Sequence, residues 1–186
     1  MISITSMTTP LAEQLFQVQT SDDVETIITS LPDIGWEPLG GRPLNFPTVN
    51  IGADPGDALV ERITNGMDAL IEREVARQAA LELDSPRQAV AKLFGIPHGR
   101  LAYLKDTRER RELAQRLKVT LRDSGAKKRP TVVVEDQGIG QHPDAFPTTL
   151  LSLNQSNKVN RHELMGAFGQ GGAAAFAFAE YTIFVA

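Results

Sequence analysis

Residues 54–72 read DPGDALVERITNGMDALIE, and this stretch predicts a well-defined helix. Asp54 can cap the helix, and Pro55 suits its first position, where no backbone N–H is needed. We expect the helix to continue through Glu72, with an end as late as Leu83. Its apolar residues fall on one side, which is expected to pack against a sheet.

The polar side of this helix carries Glu61, Asn65 and Asp68, whose spacing of four and three residues puts them on one face. A carboxylate can accept a proton from water, and a neutral amide oxygen can ligate Mg²⁺. The alternative is an ordinary solvated polar face, which most amphipathic helices have. The opposite, apolar side consists of Leu59, Val60, Ile63, Met67, Leu70 and Ile71.

A second motif follows a short apolar strand, predicted over Thr131–Glu135. Asp136 comes at the end of this strand and is followed by Gly138 and Gly140. A carboxylate at this place can accept a hydrogen bond from an exocyclic amine such as that of adenine. The glycines allow backbone and base to approach closely. The alternative is a simple Asp-x-Gly turn after a strand.

The third motif is the glycine-rich segment GAFGQGG at residues 166–172. Successive backbone N–H groups at a helix start attract phosphate, and we predict such a helix over Ala173–Ala179. The phosphate loop that ends in Gly-Lys-Ser/Thr is absent. The dinucleotide fingerprint requires a preceding strand, which the charged stretch Asn160–Met165 does not resemble. Close packing of a glycine-rich helix start is the alternative.

Together these motifs, Glu-x-x-x-Asn-x-x-Asp-Ala, Asp-x-Gly-x-Gly and Gly-x-Phe-Gly-x-Gly, resemble the three ATP-binding motifs of the GHKL superfamily. That superfamily includes the gyrase B subunit, ninety-kilodalton heat-shock chaperones, MutL proteins and sensor histidine kinases. The resemblance covers about residues 55–186. It implies an α+β fold of the Bergerat type, a two-layer α/β sandwich in which a mixed sheet is backed by helices.

The resemblance also implies roles for individual residues. Glu61 would be the general base, Asn65 the Mg²⁺ ligand and Asp136 the adenine contact, while Asp68 would support the site without joining the chemistry. Lys158 resembles a lid residue of MutL proteins, with a solvated lysine as the alternative. The nucleotide-binding positions implied besides these are Gly138, Gly140, Gly166, Phe168, Gly169, Gln170 and Gly171.

Several further helices and strands are predicted without sharp boundaries. A helix over Leu11–Leu31 should start or break near Ser21, and a helical section over Pro86–Arg122 should be interrupted around Gly95–Pro97 and Gly99. A short helix is expected over Phe146–Leu153 and a strand over Tyr181–Ala186. The 54 residues at the N-terminus form an extension or strap, whose part from Leu31 is mostly irregular, and residues 55–186 form the ATP-binding domain.

Composition narrows the class of protein. The chain has 186 residues, 41% of them hydrophobic, which suits one globular domain. The absence of cysteine excludes disulfides and thiolate metal sites. A signal peptide and a membrane-spanning run are not predicted, so we expect a soluble, cytoplasmic protein. The three histidines, at positions 98, 142 and 162, are too scattered to predict a metal cluster.

The charge is unevenly distributed. Residues 86–130, predicted as a basic helical insertion, contain 13 Lys/Arg and 4 Asp/Glu, whereas the rest of the chain contains 6 and 19. This segment is a candidate surface for nucleic-acid phosphates. The alternative is that it neutralises the acidic remainder or forms a solvated helix face. The candidate side chains are Arg108, Arg110, Arg111, Arg116, Lys118, Arg122, Lys127, Lys128 and Arg129.

From these features we expect a hydrolase: a module that binds ATP and hydrolyses it with Mg²⁺ to drive a conformational change or dimerisation. The alternative is a nucleotide-sensing, nucleic-acid-associated regulatory module with little or no turnover. A protein kinase is disfavoured by Glu61. We expect slow turnover by this chain alone, accelerated by a homodimer or by a C-terminal or separate transducer.

Overall fold

The structure is a computed structural model that describes residues 10–32, 35, 54–78, 81–142, 144–145, 149, 161–166 and 175–186. Within these residues the protein has five α-helices, short 3-10 turns and one two-stranded antiparallel sheet. The predicted two-layer Bergerat sandwich is therefore wrong for the described chain, because that fold requires a larger mixed sheet. The actual arrangement packs helices together, with a single hairpin mainly against the longest of them.

Two short helices, α1 (Leu11–Gln17) and α2 (Ser21–Ser30), replace the single helix predicted near the N-terminus. The Thr20 hydroxyl accepts a hydrogen bond from the Asp23 N–H at 3.1 Å, and the Asp23 carboxylate accepts one from the Thr20 N–H at 2.9 Å. This capping box stabilises a new helix start at Ser21. The predicted break at that residue is confirmed.

Helix α3 (Pro55–Arg77) begins where the sequence predicts. The Asp54 carboxylate accepts a hydrogen bond from the Gly56 N–H at 2.7 Å, and Pro55 occupies the first helical position. The apolar side is only partly covered, since Val60 is 61% exposed and Met67 is 37% exposed. The buried residues of this helix are Ala58, Gly66, Asp68 and Ile71.

Helices α4 (Pro86–Phe94) and α5 (Thr107–Ala114) are separated by two 3-10 turns, Pro97–Gly99 and Leu101–Tyr103. Gly95 ends α4 with a left-handed φ of 65°. A glycine adopts this conformation without strain, which makes it a common helix terminator. The interruption predicted around Gly95–Pro97 and Gly99 is confirmed.

Strands β1 (Leu117–Arg122) and β2 (Thr131–Asp136) pair antiparallel, with Leu117 opposite Asp136. Strand β2 confirms the prediction, but β1 corrects the expectation of helix as far as Arg122. Leu117, Val119 and Leu121 alternate with polar residues, which is the two-residue period of a strand. Strand β2 then supplies the hydrogen-bonding partner that this period requires.

The C-terminal residues also differ from expectation. Tyr181–Ala186 form no strand, and the described part of the predicted helix Ala173–Ala179 contains only a 3-10 turn, Ala175–Ala177. Ring contacts hold this region: the Arg62 guanidinium lies 4.8 Å from the Phe184 ring centroid. The predicted helix over Phe146–Leu153 lies outside the described residues except at Thr149, as do most of residues 31–54.

The core lies between α3, α4 and the segment 161–166. Its buried members are Ile71, Ala89, Leu93 and Leu164, and partly buried hydrophobic side chains surround them. Through this packing, Leu164 holds the residues just before the glycine-rich segment against α3. Among the described helices, none has the length and apolar character needed to cross a bilayer.

Candidate functional site

The middle of α3 contacts the other two motifs, and Gly66 makes one of these contacts possible. A Cβ atom at Gly66 would lie 2.6 Å from Leu117 Cδ1 and 3.4 Å from Asp136 Cβ. Real Cβ atoms essentially never come within 3.0 Å of such an atom, so the 2.6 Å contact with Leu117 could not be tolerated without a shift. The missing side chain therefore lets α3 lie directly against the paired ends of β1 and β2.

The turn after β2 is held against α3 through backbone atoms. The Ile139 N–H donates to the Ala69 carbonyl at 3.1 Å. A Cβ atom at Gly138 would lie 2.7 Å from the carbonyl carbon of Ala69, which belongs to the helix backbone and cannot turn aside. Arg73 adds a hydrogen bond to the Gln137 carbonyl. Glycine is thus required at Gly138 for close packing.

Asp68 joins α3 to the start of the glycine-rich segment. The residue is 0% exposed, and its carboxylate accepts hydrogen bonds from the Met165 N–H at 2.8 Å and the Gly166 N–H at 2.9 Å. Hydrogen bonds to a carboxylate are stronger than those between neutral groups, and they offset the cost of burying it. A solvated helix face is therefore excluded as the environment of Asp68.

Arg161 and Glu163, which sequence reasoning did not select, reinforce this attachment. A guanidinium nitrogen of Arg161 lies 3.3 Å from a carboxylate oxygen of Glu72 on α3, and the guanidinium also donates to the Glu163 carboxylate. Burial acts to raise the pKa of Glu163, but the Arg161 hydrogen bond and the charges of Arg161 and His162 outweigh it, so the pKa is lowered. The sequence signal that could have identified these two residues is the charged run at 161–163, just before the glycine-rich segment.

Asp136 is exposed at the end of β2, where its Oδ1 accepts a hydrogen bond from the Gly138 N–H at 2.8 Å. This is the Asp-x-Gly turn that the sequence offered as the alternative. Its Oδ2 has no hydrogen bond within the part of the chain that the structure describes. That oxygen lies 3.6 Å from the place of a Cβ at Gly66, so it faces α3. Gly140 follows with a left-handed φ of 72°.

Glu61 and Asn65 are half-buried and lie one helical turn apart on α3. The described contacts do not join Glu61 to Asp136 or to residues 161–166. Its neighbour Arg62 packs its guanidinium on the rings of Phe176 and Phe184. Burial lowers the pKa of Arg62, and the Glu61 charge acts in the opposite direction.

The segment predicted to bind phosphate is only partly described. The Gly166 N–H already donates to Asp68, so it is occupied before any ligand arrives. The predicted positions Lys158, Phe168, Gly169, Gln170 and Gly171 lie outside the described residues. Among the residues that are described, no group of three His, Cys, Asp or Glu side chains is arranged to hold a metal ion.

Part of the basic surface predicted for residues 86–130 is used within the molecule. Arg122 donates to the carbonyls of Phe16 and Val18, at 2.6 and 3.1 Å. Further intramolecular contacts of the segment are those of Lys92 with the Glu82 carbonyl, Arg108 with Glu112, Arg110 with the Leu101 and Ala102 carbonyls, and Arg116 with Glu74 and the Phe94 ring. Arg116 thus pairs with an acid outside the segment, as the neutralisation alternative predicts, and Arg108 pairs with Glu112 on an exposed helix face.

Comparison of the sequence with family models and with curated proteins, and of the structure with solved structures, gave no significant match.

Proposed function

We propose that this chain binds an adenine nucleotide at the α3 junction, defined as α3 residues 61–69, the β2 end 136–140 and residues 163–166. The observation that carries the proposal is that one stretch of α3 contacts both other motifs, through Gly66 and Ala69 on one side and Asp68 on the other. The motif order, which resembles that of GHKL ATPases, supports the same proposal independently of the fold.

The adenine end of the site is assigned to Asp136. Its Oδ1 holds the turn through the Gly138 N–H, and Oδ2 is left to accept a hydrogen bond from the adenine amine. Guanine has a carbonyl oxygen at the corresponding position, which a carboxylate oxygen repels. The contact between Gly138 and Ala69 keeps this carboxylate beside α3.

Hydrolysis is assigned to the preceding turns of α3. Glu61 has the carboxylate that accepts a proton from the attacking water, and Asn65 has an amide oxygen one turn further on. Mg²⁺ usually keeps several waters and takes phosphate oxygens with one or two protein ligands, so a single amide oxygen fits its needs. When bound, the ion would offset phosphate charge.

The phosphates are assigned to the glycine-rich segment beyond Gly166. Asp68 fixes the beginning of this segment through the Met165 and Gly166 N–H groups. In this proposal Asp68 contacts no ligand, because both of its oxygens already accept hydrogen bonds and the side chain is buried. It is a positioning residue for the phosphate side.

The test is a thermal-shift and calorimetry screen with ATP, ADP and GTP, each with and without Mg²⁺. A ligand at 100 times its Kd stabilises the folded state by about 2.7 kcal/mol, which is readily seen as a raised Tm. We expect ATP and ADP to stabilise the protein, GTP to be weaker, and Mg²⁺ to strengthen ATP binding. A preference for GTP, or no stabilisation by any nucleotide, would contradict the proposal.

A phosphate-release assay on the same samples separates hydrolysis from binding alone. We expect Mg-dependent release, measured over a range of protein concentrations to detect any contribution from a second copy. Tight ATP binding without release would instead favour the regulatory module that the sequence leaves as the alternative.

A further inference from the structure

An open groove lies between the first turns of α4 and the two 3-10 turns that follow it. Its volume is about 550 Å³, and it is lined by Ser85, Arg87, Gln88, Ala91, His98, Arg100 and Tyr103. None of these lining residues is acidic, and two are arginines. The groove shares no residue with the α3 junction, and its charge favours an anionic ligand.

The walls of the groove are fixed before any ligand binds. Gly99 has a left-handed φ of 62°, and a Cβ atom there would lie 2.7 Å from Arg87 Cγ and 2.9 Å from Arg87 C. The 3-10 turns are therefore packed directly on α4. Ile96 and Leu104 are buried at the two ends of the turns. The guanidinium of Arg110 donates to the Leu101 carbonyl at 2.9 Å and holds the second turn.

Two arginines and a tyrosine project from these walls into solvent. Arg87 and Arg100 are exposed, and within the described residues neither guanidinium has an ion-pair partner. Tyr103 is 49% exposed, and its ring packs edge-on against His98 with centroids 5.5 Å apart. Unpaired arginines beside an exposed, oriented aromatic ring are the groups that contact phosphates and stack on bases in single-strand binding.

We propose that this groove binds single-stranded nucleic acid, with Arg87 and Arg100 contacting phosphates and Tyr103 stacking on a base. The open shape suits a strand that continues past the site, whereas small ligands are usually mostly enclosed. Duplex readout requires an element that inserts into a nucleic-acid groove, and a concave site does not insert. The binding is independent of the nucleotide at the α3 junction.

The test uses the full chain and fluorescein-labelled 12-mers of oligo(dU) and oligo(U), whose binding is measured by fluorescence anisotropy at several salt concentrations without ATP. Two phosphate contacts predict that log K falls with log salt with a slope of about −1.4. The double variant Arg87→Gln/Arg100→Gln should bind more weakly and lose most of this slope. Comparing the two oligomers identifies which sugar the groove prefers, if either.

Tyr103 is tested by a matched pair of variants. Tyr103→Leu should weaken binding about 5- to 150-fold, because stacking on a base is lost, and Tyr103→Phe should stay close to the parent. Ultraviolet crosslinking of the unmodified protein provides a measurement that needs no variant. The crosslinked peptide should contain Tyr103.

The charge control is Arg108→Gln/Arg111→Gln, which removes two positive charges from α5, outside the groove. It should keep most of the parent's affinity. The proposal is overturned if both double variants weaken binding equally, if binding is insensitive to salt, or if the crosslinks lie elsewhere. Competition by poly-glutamate as effective as that by oligonucleotide would also overturn it, since only charge would then be recognised.

Discussion

The α3 junction and the groove beside α4 are both candidate binding sites, but they are built in opposite ways. At the junction, a buried carboxylate and two glycine contacts hold three chain segments together, so the polar groups of the site are attached to a packed framework. In the groove, the walls are packed while Arg87, Arg100 and Tyr103 project into solvent.

This difference indicates different ligands. Catalysis on a small molecule requires groups held to within about half an ångström, which backbone contacts and a buried carboxylate can achieve. Binding a flexible strand tolerates mobile arginines, because phosphates repeat along it and every base has a face to stack. Variants at the junction should therefore affect nucleotide binding, turnover and stability and leave strand binding unchanged, whereas groove variants should do the reverse.

The largest effect is expected from Glu61→Gln, which keeps the size of the side chain and removes its basicity. General-base catalysis contributes about 10²–10⁴-fold, so ATP turnover should fall by that order while ATP affinity stays near the parent value. Phosphate release and calorimetry measure the two quantities. Unchanged turnover would show that Glu61 is only part of a solvated helix face.

Next in size is Asp68→Ala, which removes the acceptor of two backbone N–H groups. Each buried donor left unpaired costs about 1–3 kcal/mol, so the free energy of unfolding should fall by about 2 kcal/mol or more. Urea denaturation measures this change. Asp57→Ala on the exposed first turn of α3 is the control and should cost under about 1 kcal/mol. Similar losses in both variants would mean that the Asp68 contacts contribute little.

Asp136→Ala should weaken ATP binding by about 1.5–3 kcal/mol, because a hydrogen bond to a charged acceptor is lost. The affinity for GTP should be the same in the variant and the parent. Calorimetry with both nucleotides checks the difference. If ATP affinity is unaltered, Asp136 serves only the turn it forms with Gly138.

Gly138→Ala tests the contact between the β2 turn and α3. Overpacking of this kind costs about 1–3 kcal/mol, and the displaced turn should also weaken ATP binding. Gly125→Ala is the control, since Gly125 has a left-handed φ of 75° and nothing within 4 Å of an added Cβ. Its cost is backbone strain alone, about 1–2 kcal/mol, with ATP binding unchanged. Equal ATP affinity in both variants would argue against the junction as the site.

The sequence was sufficient to predict elements whose signals are local. Asp54 and Pro55 marked the start of α3, and Gly95 marked the end of α4, because capping depends on a few neighbouring residues. Strand β1 was missed because its two-residue alternation falls within a run of basic residues, and only pairing with β2 makes the strand stable. The larger mixed sheet was implied by the family resemblance, and this prediction was wrong for the described residues, where two strands pair.

Within the candidate site, the sequence selected Asp68 and Asp136 but not their environments. Asp68 is buried because Met165 and Gly166, nearly a hundred residues later, donate to it. A helical face of Glu61, Asn65 and Asp68 cannot reveal that its last member is covered by a distant segment. Arg161 and Glu163 were missed because their roles follow from the same long-range contact.

Hydrogen exchange with and without saturating Mg-ATP reports where the nucleotide acts on the protein. We expect amide exchange to slow in all three of the peptides that cover residues 61–69, 136–140 and 163–166, by up to about a hundredfold at 100 times Kd. Peptides over the groove turns, 97–104, should exchange at the same rate with and without ATP. Slowing at the groove turns alone, or in only one of the three junction segments, would show that ATP does not bind at the α3 junction.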